Sequence, residues 1–191
     1  MAITIVSIAF RSCGKNLYEN DSNLSIQKES SETGTDNTKN DVTCEALVKE
    51  VSKVIGENYF PDMQIEADYL EQQTGLTNNL YDEFAGEMPK ISTNVDTIII
   101  VKAKEGKIAE VEQKLSEYRD RLLNDTIQYP INTGKIQASR IEQIDPYVCF
   151  VQLGGDTSIV DGQGNEAIIA YCQHENELAI STIEVKVAKG I

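Results

Sequence analysis

The sequence contains no tryptophan and a single histidine, His174, which thins the list of acid–base mechanisms open to it. Its four cysteines stand at 13, 44, 149 and 172, with no CxxC pair and no histidine at zinc-finger spacing, so no cysteine-based metal motif is present. Clustered lysine and arginine are also missing, and the formal net charge is -14. Phosphate backbones and anionic membrane surfaces are held by clustered cations that displace counterions, so nucleic acid is excluded as a partner. The apolar opening run, Ala2 to Phe10, is far shorter than the ~20 residues that span a bilayer.

What is present is one strongly patterned stretch, Ser92 to Gly155. Its first strand, Val95 to Val101, carries the run Ile98-Ile99-Ile100-Val101, as in a strand covered on both faces. Ile108, Val111, Leu115, Tyr118 and Leu122 follow at alternating steps of three and four, which sets them on one helical stripe. After a loop from Asn124 to Lys135, the sequence predicts a strand over Ile136–Ile144, a turn at Asp145-Pro146, and a strand over Tyr147–Leu153. Upstream, a helix is predicted from Thr43 to Gly56, a short one over Glu66–Gln73, and a strand over Leu80–Met88. Downstream, Asn165 reads as the N-cap of a helix running to about Val187. The expectation is a single α+β domain over 42–191. It has about four mostly antiparallel strands, helices packed on one face, and an N-terminal helix alongside.

The first forty residues read differently. Residues 1–13 read as a signal-like segment: the apolar run 2–10 has the length of the h-region of an export signal, without a basic n-region after Met1, and it ends at Arg11-Ser12-Cys13-Gly14 in the manner of a bacterial lipobox. There the cysteine becomes the first mature residue and carries lipid; Arg11 departs from the small or apolar residue usual at its position. The competing reading is a short buried strand with an incidental cysteine. Residues 14–41 are rich in Asn, Ser, Asp, Glu, Lys and Thr. Such a segment buries too little apolar surface to offset its chain entropy and is expected to be a disordered tether. Acyl chains on Cys13 would hold the protein at a membrane, since each buried CH₂ contributes about 0.8 kcal/mol.

Several segments resemble a known family: Ser92-Thr93-Asn94-Val95-Asp96, Tyr118-Arg119-Asp120, the run from Gln128-Tyr129-Pro130 through Asn132 and Gly134-Lys135 to Ala138-Ser139, and Tyr147 through Leu153-Gly154-Gly155. They are similar to the bacterial domain-of-unknown-function family numbered 4358, over roughly Asp41 to Ile183. The resemblance implies a small exported lipoprotein of the Firmicutes kind, with no established catalytic residue, substrate or cofactor.

Candidate chemistry is sparse. Cys13 is the expected lipidation site. Tyr129, Asn132, Lys135 and Gln137 are the expected partner-binding residues, because polar and aromatic side chains on an ordered loop are where binding is usually found; packing of that loop over the sheet is the competing reading. His174 with Glu177 at i,i+3 satisfies one condition for a metal site and lacks a third ligand. Asp161 to Glu166 is oxygen-rich but lacks calcium-loop spacing. Cys149 and Cys172 are expected as buried thiols or a disulfide. No cofactor or metal is expected. The functional expectation is an exported, lipid-anchored, non-enzymatic module that contacts a cell-envelope protein or ligand. The alternatives are a small hydrolase or metal-dependent enzyme built on His174 and nearby carboxylates, and a secreted domain with a structural role in assembly.

Overall fold

A computed structural model describes residues 42–190 apart from 126 and 161. The expected signal segment 1–13 with Cys13, the tether 14–41 and Asp161 lie outside the described residues. The elements in order are α1 (Cys44–Ile55), β1 (Met63–Gln64), α2 (Ala67–Thr74), β2 (Tyr81–Met88), β3 (Thr97–Ala103), α3 (Ile108–Asn124), α4 (Pro130–Ala138), β4 (Arg140–Ile144), β5 (Tyr147–Gln152) and α5 (Asn165–Lys189). Thr43 caps α1, its hydroxyl accepting the Ala46 N–H at 3.2 Å, which satisfies one donor orphaned at the helix start. The Glu83 carboxylate on β2 accepts the Cys44 N–H at 2.8 Å, so the same helix end is also pinned to the sheet.

The five strands lie in the order β1-β2-β3-β5-β4, and every neighbouring pair is antiparallel. The α+β class therefore stands, with five strands where about four are expected. The unforeseen strand is β1, two exposed residues at the sheet edge, too short to show a two-residue period. The second difference concerns the helices, which cover both faces rather than one. Ile98 and Ile100 on β3, with Cys149 and Val151 on β5, pack against α1 and α5. Their neighbours Ile99, Val101, Val148 and Phe150 pack against α2 and α3. An apolar run without polar alternation requires cover on both sides.

The expected strand Ile136–Ile144 divides: its first three residues finish α4, and only Arg140–Ile144 is strand. Ile136 and Ala138 are buried with Gln137 exposed between them, so the last helical turn imitates strand alternation. Pro130 opens α4 at a position where its missing N–H removes no helical bond, and Tyr129 before it is extended at φ -62, ψ 140. Gly134, within the loop expected over Asn124 to Lys135, sits inside this helix instead. Among the described residues no helix is long and apolar enough to cross a membrane.

The two-sided core makes a direct prediction. Ile99→Ala and Ile100→Ala should each lower stability by about 2–5 kcal/mol in urea unfolding. Cover on one face alone would leave one of the two substitutions nearly neutral.

Candidate functional site

The residues expected to bind a partner cluster around α4, and their positions follow from a polar node beneath that helix. Asp96 immediately precedes β3, and Gly154-Gly155 follow β5, so both lie at the same end of the central strand pair. Lys135 reaches down from α4. Its Nζ donates to Asp96 Oδ1 at 2.7 Å and to the Gly155 carbonyl at 2.8 Å. Asp96 Oδ2 accepts the backbone N–H of Gly154 at 3.3 Å and of Gly155 at 2.8 Å. Lys135 is 4% exposed and Asp96 0%. The ammonium also lies 5.6 Å from the Phe60 ring centroid, within cation–π range.

Burial raises the Asp96 carboxyl above its ordinary value, outweighing Lys135 and the two amides that favour ionisation. A pair of this kind contributes position rather than net stability, but removing one member strands the other in a dry interior.

The glycines of the node are dictated by contact. A Cβ on Gly154 would lie 2.6 Å from Cys172 Sγ and 3.0 Å from Lys135 Cγ. Gly155 has φ +52, and a Cβ there would lie 2.7 Å from the Asn58 backbone oxygen. Further amides tie α4 and the strand ends together. Asn176 on α5 accepts the Leu153 N–H at 2.7 Å and donates to the Ala138 carbonyl at 2.8 Å. Asn132 donates to the Thr93 carbonyl at 3.0 Å, and Gln152 Nε2 to that of Val95 at 2.5 Å.

Above the node, α4 and the start of α5 wall a groove of about 750 Å³. Tyr129, Ile131 and Thr133 form one side, Asn165 and Ile168 the other, and Gly162 and Gly164 the end. The two helices meet closely at Gly134, where a Cβ would lie 2.6 Å from Ile168 Cγ2. Gly164 takes the N-cap position of α5 with φ 92, so Asn165 is the first helical residue and not the expected cap. Among the described residues none of the lining side chains carries charge. Tyr129 is 58% exposed.

The four expected binding residues therefore separate. Tyr129 lines the groove, and Gln137, exposed, accepts a hydrogen bond from Asn165 Nδ2 at 2.9 Å beside it. Asn132 and Lys135 are buried and hold the fold from within. Their spacing along α4 turns them away from solvent. Asp96, Ile131 and Ile168 were not foreseen. For Asp96 the available signal was a carboxylate abutting an otherwise apolar strand.

The elements of the alternative enzyme do not converge. His174 is exposed on α5, and Glu177, one turn along, is held by Arg140 from β4. Among the described residues no three His, Cys, Asp or Glu side chains gather as metal ligands. Cys44, Cys149 and Cys172 are free and buried. Burial pushes the Cys44 and Cys172 thiols up to about 12 and raises that of Cys149 as well, opposite to the shift that activates a nucleophile.

The node yields a double-mutant prediction. Asp96→Asn and Lys135→Met should each destabilise the protein by about 3–5 kcal/mol, while the double variant should lose clearly less than the sum in equilibrium unfolding. Strict additivity would show that the two groups do not act as a pair.

No curated protein and no solved structure matches the chain. A family match covers residues 56–153, which takes in all five strands with α2, α3 and α4 and leaves α1 and α5 on either side. On that match, over half of its length, the chain belongs to the family described as Domain of unknown function (DUF4358).

Proposed function

We propose that the protein is an exported, lipid-anchored module of the cell envelope that binds a partner without catalysing a reaction. Export and anchoring are supported by sequence: the apolar run Ala2–Phe10, Cys13 after a small residue, and the polar stretch 14–41. Binding is supported by one observation above the rest. A groove of about 750 Å³ opens between α4 and α5 with no charged side chain among the described residues that line it, in a chain whose net charge is -14. Surfaces of such a chain that carry no charge neither attract cations nor repel anions through the contact itself, and they favour apolar, uncharged ligands.

The occupant that fits is an extended, uncharged segment of an envelope protein with aliphatic or aromatic side chains. Ile131, Ile168 and the Tyr129 ring offer apolar contact. Thr133 and Asn165 offer hydrogen-bonding groups, and Gly162 and Gly164 let a second backbone approach closely. For the alternative enzyme on His174, no three His, Cys, Asp or Glu side chains gather as metal ligands among the described residues.

Two measurements test the two halves. Display of a random peptide library against the purified full chain should enrich uncharged sequences with neighbouring apolar residues, and Ile131→Asp should abolish that enrichment. Enrichment of charged peptides, or enrichment indifferent to Ile131→Asp, contradicts the binding reading. Mass spectrometry of the membrane fraction should find a chain that begins at Cys13 and carries acyl groups. A chain with Cys13 unmodified and Met1 retained contradicts the anchor.

A further inference from the structure

Three arginines lie among the described residues, and the fold uses two of them fully. Arg121 donates through Nη1 and Nη2 to the Glu117 and Gln73 carbonyls, and Arg140 donates through the same atoms to Glu177 and Glu142. Arg119 donates through Nε alone, to the Ser139 carbonyl and to Ser139 Oγ, each at 3.0 Å. Those two bonds fix the guanidinium plane. Its Nη1 and Nη2 have no hydrogen-bond partner among the described residues, and it forms no salt bridge among them.

Arg119 lines a cleft of about 400 Å³ between α3 and the start of β4. Glu112, Ser116 and Asp120 join it from α3 at steps of four, hence on one helix face. Ser139 and Arg140 line the other wall. Glu112 and Asp120 meet the one guanidinium there that is unpaired among the described residues, that of Arg119, since Arg140 is already paired with Glu142 and Glu177. A cleft that presents both signs selects ligands that carry both signs. Phosphates would face Glu112 and Asp120 and are disfavoured. An unused guanidinium fork matches a planar carboxylate, which it binds through two parallel N–H···O bonds. Glu112 lies seven positions from Arg119, about 10 Å along the helix axis, and three extended residues span about the same length.

We propose that this cleft binds a short zwitterionic peptide of two or three residues, with its C-terminal carboxylate on the Arg119 fork and its ammonium at Glu112. The site shares no residue with the apolar groove, so each reading stands or fails alone.

Calorimetry on the full chain with tri-alanine, its C-terminal amide and its N-acetyl form tests the assignment. Tri-alanine should bind, and amidation or Arg119→Lys should weaken it about tenfold or more. N-acetylation should weaken binding to the native protein but add nothing further in Glu112→Gln, a surface substitution that leaves the core untouched. Circular dichroism verifies folding of each variant, and the peptide derivatives carry the test if Arg119→Lys unfolds. No binding at millimolar tri-alanine, indifference to amidation, or loss on Ile131→Asp in place of Arg119→Lys would overturn it.

Discussion

An ammonium group and a carboxylate shut away from water, those of Lys135 and Asp96, hold the end of this sheet together. Asp96 takes both backbone amides of Gly154-Gly155, while Lys135 takes the Gly155 carbonyl and the other carboxylate oxygen. The chain leaving β5, the chain entering β3 and the underside of α4 are thereby fastened at one point. Desolvation makes the arrangement costly, and the raised Asp96 carboxyl reflects that cost. Its return is geometric, since an ion pair in a dry interior tolerates few alternative positions.

Two surfaces inherit their geometry from this fastening. On its far side α4 carries Tyr129 and Ile131 into the groove shared with α5, and the close crossing of Gly134 with Ile168 sets the width of that groove. Beyond its C-terminus, Ser139 anchors the Arg119 guanidinium at the edge of the polar cleft. One helix of nine residues therefore positions an apolar surface and a dipolar one. The rigidity of both derives from groups that neither surface displays.

Local patterns carried much of the fold into view. The run Ile98–Val101 and the stripe from Ile108 to Leu122 were legible because burial of that extent leaves a period in the sequence. Thr43 and Gly56 bounded α1 because capping chemistry is local. Helical cover on the second face was implied by that same run, yet no local signal says which elements supply it. α4 was hidden because Gly134, Asn132 and Thr133 are weak helix formers, and its stability comes from tertiary contact. Lys135 and Asn132 were read as partner-binding residues, but a polar residue on an ordered segment has the same appearance whether it faces a partner or an interior carboxylate. Only the position of Asp96, thirty-nine residues away in sequence, separates the two cases.

Hydrogen–deuterium exchange on Lys135→Met tests most directly whether the buried pair governs the position of α4. The account predicts that amides of α4 and of Gly154-Gly155 lose protection, while those of β3 paired with β2 keep theirs. Unchanged protection across α4, or a uniform loss over the whole domain, would contradict it.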